Sequence, residues 1–474
     1  MCDGKIYIHK ILDYNLHIIQ EISLLCKKKM NNTDNNPEEA ETVSKSSENT
    51  SVITLGCRLN SYESSVMEDI LKAENLNNDV IIINTCAVTK EAERKSRQAI
   101  TKAKRDNPDK KIIVTGCAAQ INPEQFSQMP QVYKVIGNDV KNNPSTYKDL
   151  ALEWSNPLQI NTEKAIVNDI MSIKDTAEHL MPMSQDRSRA FLQIQNGCNH
   201  RCTFCIIPYG RGNSRSVPVA QVVNNIKNLI EQGYNEVVLT GVDITDYGSD
   251  LPAQPKLGLL CKRILSSTTL PRLRLSSIDV AEIDDDIKDL VISEPRFMPY
   301  FHISLQSGDN MILKRMKRRH AREDVYKFCD FVRKYRENPG FGADIICGFP
   351  TENEEMFANT MALVQDLQIP FMHAFTYSAR TGTPAARMPQ VPLPIRKDRT
   401  RRLIAIGEEN LAKFIQSLIG TTQKIILEEG AMGHAENFAK IHITDTANLS
   451  SPVGSVVSVV CNTVQNGYIA GLKL

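Results

Sequence analysis

The sequence predicts an α/β protein in three parts: an N-terminal open parallel α/β domain, a central partial (β/α)6 barrel and a small C-terminal β-barrel. Three observations carry this. From residue 51 onward, short β-branched runs alternate with amphipathic helical stretches, as parallel βα units require. Six such units then follow over roughly 200 residues, the spacing of a partial parallel barrel. Beyond residue 423 the chain changes to Val/Ile-rich runs separated by Gly, Asn and Ser, the pattern of a small closed β-barrel. The 474 residues allow about three domains at ~150 residues each.

Composition narrows the function classes. Hydrophobic residues make up 41%, as in a globular chain, and 56 Lys+Arg against 55 Asp+Glu leave a net charge of +1. A neutral protein has no global pull toward nucleic acid or anionic lipid, so any such binding needs local basic patches. No run approaches the ~18 uncharged apolar residues of a membrane span, so no membrane partner is expected. Twelve cysteines are too sparse for a disulfide scaffold, and no secretory signal is apparent; a reducing, cytoplasmic setting is expected. Residues 1–29 mix apolar residues with Asp13, Glu21 and several Lys, which fits neither a signal nor a transit peptide. Residues 30–50 are Asn, Glu, Ser, Thr and Asp with almost no aliphatic side chain. Such a stretch cannot offset its ordering entropy, so residues 1–50 read as a disordered extension, with an upstream start-site artefact as the other reading of 1–29.

The first domain is expected over residues 51–150. Its strands are 51–57 (SVITLGC), 80–86 (VIIINTC) and 111–117 (KIIVTGC), with Tyr62, Val66, Met67, Ile70 and Leu71 on one helical face between the first two. Each run ends in a cysteine. In an open parallel sheet the carboxyl strand ends line one crevice, so Cys57, Cys86 and Cys117 are expected to converge. Residues 151–184 lie in a polar, weakly periodic stretch that reads as a connecting segment with room for one hairpin.

The barrel is expected over 185–415, with strands at 191–195, 236–241, 272–277, 300–306, 342–347 and 371–377. Val219, Val222, Val223, Ile226, Leu229 and Ile230 mark one intervening helix, and Met356, Phe357, Met361, Val364 and Leu367 another. A proline-flanked stretch, 388–394, leads into a long basic, then amphipathic, helix ending near Gly420. The C-terminal barrel occupies 416–474.

The strongest chemical signal is GCNHRCTFC at 197–205, which spaces Cys198, Cys202 and Cys205 as C-x3-C-x2-C. Three thiolates on one loop hold three irons of a cubane and leave the fourth open to chelate S-adenosylmethionine, whose sulfonium bond an electron from the cluster then cleaves. Structural zinc is the competing metal; it needs a fourth Cys or His, for which His200 is available. For Cys57, Cys86 and Cys117 a second cluster and simple packing weigh about evenly. Cys2, Cys26, Cys261, Cys329, Cys347 and Cys461 have no matching partner and read as small buried hydrophobes.

At these residues the chain resembles the radical S-adenosylmethionine methylthiotransferases from residue 51 to 474. GCRLNSYES (56–64), NTCAVTKEAERKSRQ (84–98) and TGCAAQ (115–120) resemble the family's N-terminal cluster domain, and GCNHRCTFCIIPYGRG (197–212) its radical loop. The C-terminal barrel resembles the RNA-binding TRAM module. GCRLN and NTCAVTKEAERKSRQ are most like the branch that modifies N6-threonylcarbamoyladenosine in tRNA. The resemblance implies two 4Fe-4S clusters, an auxiliary one on Cys57, Cys86 and Cys117 and a radical one on Cys198, Cys202 and Cys205. It implies two S-adenosylmethionine molecules per turnover: one methylates a sulfur at the auxiliary cluster, the other yields a 5′-deoxyadenosyl radical that abstracts hydrogen from adenine carbon 2. The implied partners are tRNA, a reducing electron donor such as flavodoxin or ferredoxin, and a sulfur source.

Candidate cofactor contacts are Gly241, Ser276, Ser277, Gln306 and Asp344, at or near strand ends where barrel sites form; strand capping is the other reading of the last four. Thr240-Gly241-Val242 stands where many radical enzymes carry Gly-Gly-Glu, so the usual acid is missing there. No general acid or base is identified. The runs 314–320 (KRMKRRH) and 396–402 (RKDRTRR) and the 94–105 stretch are the candidate phosphate contacts, with solvated helix faces as the alternative. Phe438 and Tyr468 are among the few aromatics of the C-terminal barrel, so backbone gripping is expected there rather than base stacking. The expected function is thus a tRNA methylthiotransferase acting on threonylcarbamoyladenosine next to the anticodon. The isopentenyladenosine branch and a non-enzymatic iron–sulfur RNA-binding or redox-sensing protein are the alternatives.

Overall fold

The structure, a computed structural model, describes residues 51–155, 163–174, 188–446, 449–465 and 467–474. The readings made for residues 1–50 lie outside these.

Five parallel strands form the first sheet: β1 (Val52–Thr54), β2 (Val80–Thr85), β3 (Lys111–Gly116), β4 (Val132–Ile136) and β5 (Ala165–Ile166), in spatial order β1-β2-β3-β4-β5. Strand side chains alternate between faces, and here both faces are covered. Val52, Val80, Ile82, Ile113 and Ile136 meet Tyr62, Val66, Met67 and Ile70 of helix Arg58–Ala73 and Tyr147 and Leu150 of helix Pro144–Ser155. Ile81, Ile83, Ile112, Val114 and Val135 meet Ile100 and Ala103 of helix Lys90–Asp106, together with Phe126. The stretch expected to be a connector therefore differs. A helix enters it, and β5 pairs in parallel with β4 instead of forming a hairpin among the described residues.

The second parallel series is β6 (Ala190–Gln193), β9 (Glu236–Thr240), β10 (Arg272–Leu275), β11 (Ser277–Ile278), β12 (Tyr300–Gln306), β13 (Gly340–Cys347) and β14 (Phe371–Thr376). β10 and β11 are halves of one strand broken at Ser276, so six strand positions make an open arc from β6 to β14. A small antiparallel pair, β7 (Gln195–Asn196) with β8 (Arg215–Ser216), flanks the loop after β6. Outward residues such as Leu192, Leu239, Leu273, Ile303 and Ile345 share one core with Ile226, Leu260, Val325 and Phe357 of the outer helices. By the same alternation Gln193, Glu236, Arg272, Arg274, Tyr300, His302, Asp344 and His373 face the lumen, with Val238, Phe371 and Phe375 among them.

The first domain closes the open side of the arc. Phe191 of β6 packs into its core, the Lys90 amide donates to Ser378 Oγ at 3.3 Å, and Arg380 pairs with Glu93. Helix Leu393–Ser417 then leads to a closed barrel of β15 (Thr422–Leu427), β16 (Met432–Ala435), β17 (Lys440–Ile443), β18 (Val456–Gln465) and β19 (Tyr468–Lys473), in order β15-β16-β17-β19-β18. It docks on the amino ends of the arc's strands. Arg272 Nη2 donates to Lys424 O at 2.7 Å, Arg274 Nη1 donates to Glu436 O at 3.0 Å, and Tyr300 stacks on Phe438 with centroids 4.5 Å apart. No helix among the described residues is long and apolar enough to cross a membrane.

Candidate active site and metal centres

The loop that follows β6 and β7 carries Cys198, Cys202 and Cys205 and is pinned from two sides. The Thr203 amide donates to Met316 O at 3.1 Å and its hydroxyl to Arg315 O at 2.8 Å, while Thr203 O accepts from the Ala385 amide at 2.9 Å. Cys198 Sγ accepts from the His200 amide at 3.3 Å, and Arg318 Nη1 lies 3.6 Å from Cys202 Sγ. Burial pushes the Cys205 thiol up to about 12. Cys202 is also buried, yet hydrogen bonds from His200 and Arg318 hold it below the ordinary thiol value. All ten cysteines of the described residues are free thiols. Three soft sulfurs on one rigid loop suit an iron–sulfur cubane with an open corner. His200, the fourth ligand that the zinc reading needs, has Nε2 3.2 Å from Asp243 Oδ2 and 3.4 Å from Glu282 Oε1, and these three groups are close enough to one another to hold an ion.

The second trio forms at the carboxyl ends of β1, β2 and β3. Gly56 (φ +104°) and Gly116 (φ +96°) immediately precede Cys57 and Cys117; a Cβ on Gly56 would lie 2.8 Å from Cys86 Cβ, and one on Gly116 2.4 Å from the Thr85 backbone. Only glycine permits turns this close. Asn60 Nδ2 donates to Leu55 O at 2.7 Å and to Thr85 O at 3.1 Å, fixing the chain just ahead of Cys57 and Cys86. Cys57 is exposed, and Cys86 and Cys117 are buried. Burial, with the Cys117 and Cys57 sulfurs beside it, raises Cys86 to about 12. The expected convergence of sequence-distant thiols is therefore present, and the donor set again fits a cluster.

One short helix joins the two trios. Helix Ile207–Arg211 leaves the first cysteine loop and ends inside the pocket of the second. Arg211 is buried there, with Nη1 2.8 Å from Glu63 Oε1, Nη2 2.6 Å from Asn60 Oδ1 and Nη1 3.1 Å from Asn196 Oδ1. Lys141 Nζ reaches the other Glu63 oxygen at 2.6 Å. Asn138 Nδ2 donates to Gly210 O at 2.5 Å and lies 3.9 Å from Cys117 Sγ. Tyr209 on this helix and Val88, two residues past Cys86, are each 50% exposed.

The other expected site residues are spread over the barrel rim and wall. Gly241 follows the last residue of β9 and lies against Gln195, whose Oε1 accepts from the Val242 and Asp243 amides at 3.0 and 2.9 Å. Ser276 is buried at the strand break, its amide donating to Leu239 O at 3.0 Å, and Ser277 opens β11 half-buried. Gln306 closes β12 in the left-handed region (φ +64°). Asp344 is not at a strand end. It sits midway along β13, where Oδ1 lies 2.9 Å from His302 Nε2 and 3.1 Å from His373 Nδ1.

Several site residues escape the sequence reading. Asp243 lies one position past the Thr240-Gly241-Val242 stretch that lacks the usual acid, and its Oδ2 is 3.5 Å from Cys198 Sγ. Glu63, Lys141 and Arg211 carry no local signal, since each partner comes from a distant segment. His302 and His373 are signalled by polar residues alternating with apolar ones in their strands.

The basic runs fare unequally. In 314–320, Arg318 bonds Asp279 and Ser304 O, Arg319 pairs with Glu282, and His320 is buried against Asp279 and Leu305 O. In 396–402, Arg399 is buried on Glu352, Arg402 pairs with Glu354 and Arg401 with Asp398. Both runs mainly hold the fold together. Helix Lys90–Asp106 keeps Arg94, Lys95, Lys102 and Arg105 exposed. Phe438 is also spoken for: it lies between Tyr300 and the guanidinium groups of Arg58, Arg189 and Arg274 at 5.7, 5.6 and 5.3 Å.

Comparison with known proteins shows which families the chain matches. Residues 192–364 match the model of the radical SAM superfamily, and residues 49–137 match that of the uncharacterized protein family UPF0004, which spans Cys57, Cys86 and Cys117. The chain is 49% identical to the threonylcarbamoyladenosine tRNA methylthiotransferase MtaB of Rickettsia prowazekii over 88% of this chain and 96% of that one. It is 35% identical to the protein of the same name from Aquifex aeolicus over 82% and 95%. A tRNA-2-methylthio-N(6)-dimethylallyladenosine synthase of Ehrlichia canis is 32% identical over 78% and 86%.

Proposed function

Since the chain belongs to the threonylcarbamoyladenosine tRNA methylthiotransferase family, we propose that it places a methylthio group on carbon 2 of N6-threonylcarbamoyladenosine in tRNA, using its two cysteine trios as cluster ligands. The observation that carries this reading is helix Ile207–Arg211, which starts two residues after Cys205 and ends against the second trio, with Gly210 O held by Asn138 beside Cys117 and Arg211 on Glu63 and Asn60. When bound, the cluster at Cys198, Cys202 and Cys205 supplies the electron that cleaves S-adenosylmethionine, and the cluster at Cys57, Cys86 and Cys117 supplies the sulfur.

The chain's own residues divide the remaining work. Asp243, Ser276, Ser277 and Gln306, with the backbone around Gly241, form the rim that orients the amino-acid and ribose parts of S-adenosylmethionine. Asn60, Asn138 and Arg211 fix the second trio and set positive charge against its thiolates. The first domain seals the open side of the arc and excludes water from the crevice. Helix Lys90–Asp106, next to the second trio, takes the phosphates of the anticodon arm, and Tyr209 offers a ring for stacking at the crevice mouth. A flavodoxin- or ferredoxin-like reductant and an external sulfur source complete the cycle.

The test is nucleoside mass spectrometry of tRNA from cells lacking the gene, complemented with wild type or Cys202→Ala. Loss of the 2-methylthio derivative with build-up of threonylcarbamoyladenosine, restored by wild type alone, is expected. Loss on the isopentenyl nucleoside instead overturns the substrate, and no change in either overturns the activity.

A further inference from the structure

The inward faces of the barrel strands carry polar clusters among apolar residues such as Val238, Phe371 and Phe375, and the clusters of its two halves differ. On the β9–β10 side, Glu236 is locked by Arg274 at 2.8 Å and Arg272 at 3.4 Å, and the three side chains are only 1–2% exposed. On the β12–β14 side, His302 Nε2 and His373 Nδ1 both approach Asp344 Oδ1, at 2.9 and 3.1 Å, and Tyr300 Oη lies 3.2 Å from His302 Nδ1. Here the wall is not sealed. Asp344 and His373 keep 27% and 32% of their side-chain surface, although both lie mid-wall and face inward. An ionised carboxylate held by two imidazoles and left partly exposed is a surface prepared for a ligand that makes hydrogen bonds.

We propose that His302, Asp344 and His373 form the subsite for the polar N6-substituent of the modified adenosine, a urea-linked hydroxy acid. This rests on the function proposed above and names the wall that selects within it. A substituent with urea, hydroxyl and carboxylate groups replaces the water lost from these side chains, and His373, the most exposed of the three, is placed to contact it first. A prenyl chain in the same space leaves an ionised carboxylate and two imidazoles without new partners, a penalty that sites built for hydrogen bonding use to reject apolar analogues. The second imidazole holds Asp344 in place, so the acid acts as a fixed acceptor rather than as a mobile base.

The experiment uses reconstituted full-length enzyme and two anticodon stem-loop RNAs that differ only in carrying N6-threonylcarbamoyladenosine or N6-isopentenyladenosine. Methylthio product is measured by nucleoside mass spectrometry for wild type, His373→Leu and His373→Gln, together with metal content. Wild type is expected to prefer the threonylcarbamoyl RNA. His373→Leu is expected to lower kcat/KM on that RNA by roughly 10- to 100-fold, the equivalent of one hydrogen bond to a charged group, and to shift the preference toward the isopentenyl RNA. His373→Gln, which keeps a donor, is expected to recover part of the loss. If wild type prefers the isopentenyl RNA, the proposed function fails. If wild type prefers the threonylcarbamoyl RNA and His373→Leu keeps the same preference, the subsite fails while the function stands. Equal loss on both RNAs, or stoichiometric zinc that Asp344→Asn removes, also overturns the subsite, since the three side chains then hold the cofactor or an ion.

Discussion

Arg211 and Glu63 form a buried two-contact ion pair across 148 residues of sequence, with Nη1 2.8 Å from Oε1 and Nη2 2.9 Å from Oε2. The arginine ends the helix that leaves the first cysteine loop, and the glutamate lies six residues past Cys57. The pair therefore sets the register of one thiol trio against the other.

Burial by itself would raise the Glu63 carboxyl, but Arg211 and Lys141 outweigh it and hold it at about 2, against 4.5 for an ordinary glutamate. A carboxyl lowered in the folded state contributes stability above its unfolded value and loses it as pH falls from about 4.5 toward about 2. Glu63→Gln leaves Arg211 and Lys141 buried without their counter-charge, so a loss of roughly 3–5 kcal/mol is expected at neutral pH. Urea unfolding of cluster-free protein from pH 7 to 3 checks both: wild type should lose stability over that acid range, and the variant should start lower and fall less.

The two trios lie on separate segments of chain, one on a single loop after β7 and the other at the carboxyl ends of three strands, and this predicts separable losses. Cys117→Ala should bind about half the iron of a wild type holding about eight per chain, and should still release 5′-deoxyadenosine from S-adenosylmethionine without forming methylthio product. Cys202→Ala should also bind about half the iron but release no 5′-deoxyadenosine. Iron and sulfide content measured with both assays decides. Loss of all iron in either variant would mean that the trios assemble as one unit.

How much of this is legible in the sequence depends on how local each signal is. Residues 300–306 read as a strand and are β12, because alternation and flanking turns are local properties. The convergence of Cys57, Cys86 and Cys117 is legible because parallel topology brings carboxyl strand ends together wherever they fall in sequence. The two-residue strand β5 is too short for any periodicity, so its stretch reads as a connector. Asp344 reads as near a strand end because the sequence pattern starts β13 two residues late and its depth depends on β12 and β14, which supply His302 and His373. The runs around Arg318 and Arg399 resemble phosphate grips because Asp279 and Glu352, which bind them, lie elsewhere in the chain.

That difference among the basic segments predicts unequal effects on RNA binding. On helix Lys90–Asp106, Lys102 is exposed and Arg97 half-buried on the helix surface. Replacing both with Gln should weaken tRNA binding and reduce the slope of log Kd against log salt by about one for each phosphate no longer neutralised. Arg401→Gln, which breaks an exposed pair with Asp398, should leave the slope unchanged. Filter binding from low to high salt measures this. An equal change in both variants would remove the helix as the phosphate-binding face.

Phe438 ties the C-terminal barrel to the arc. It adopts φ +72°, a conformation uncommon for a large side chain, and its ring stacks on Tyr300 with three arginines around it. Such a backbone costs about 1–3 kcal/mol and persists only where packing compensates. Phe438→Ala keeps the strained backbone and removes the packing, so a loss of about 3 kcal/mol or more is expected. Because the ring lies between the domains, the loss should appear first at the junction. Hydrogen exchange should speed up at the amides of β15 and β16 and at the amino end of β12, while the β2–β3 region of the first domain stays protected. A uniform rise in exchange across the chain would instead mean that the barrel and the arc unfold as one cooperative unit.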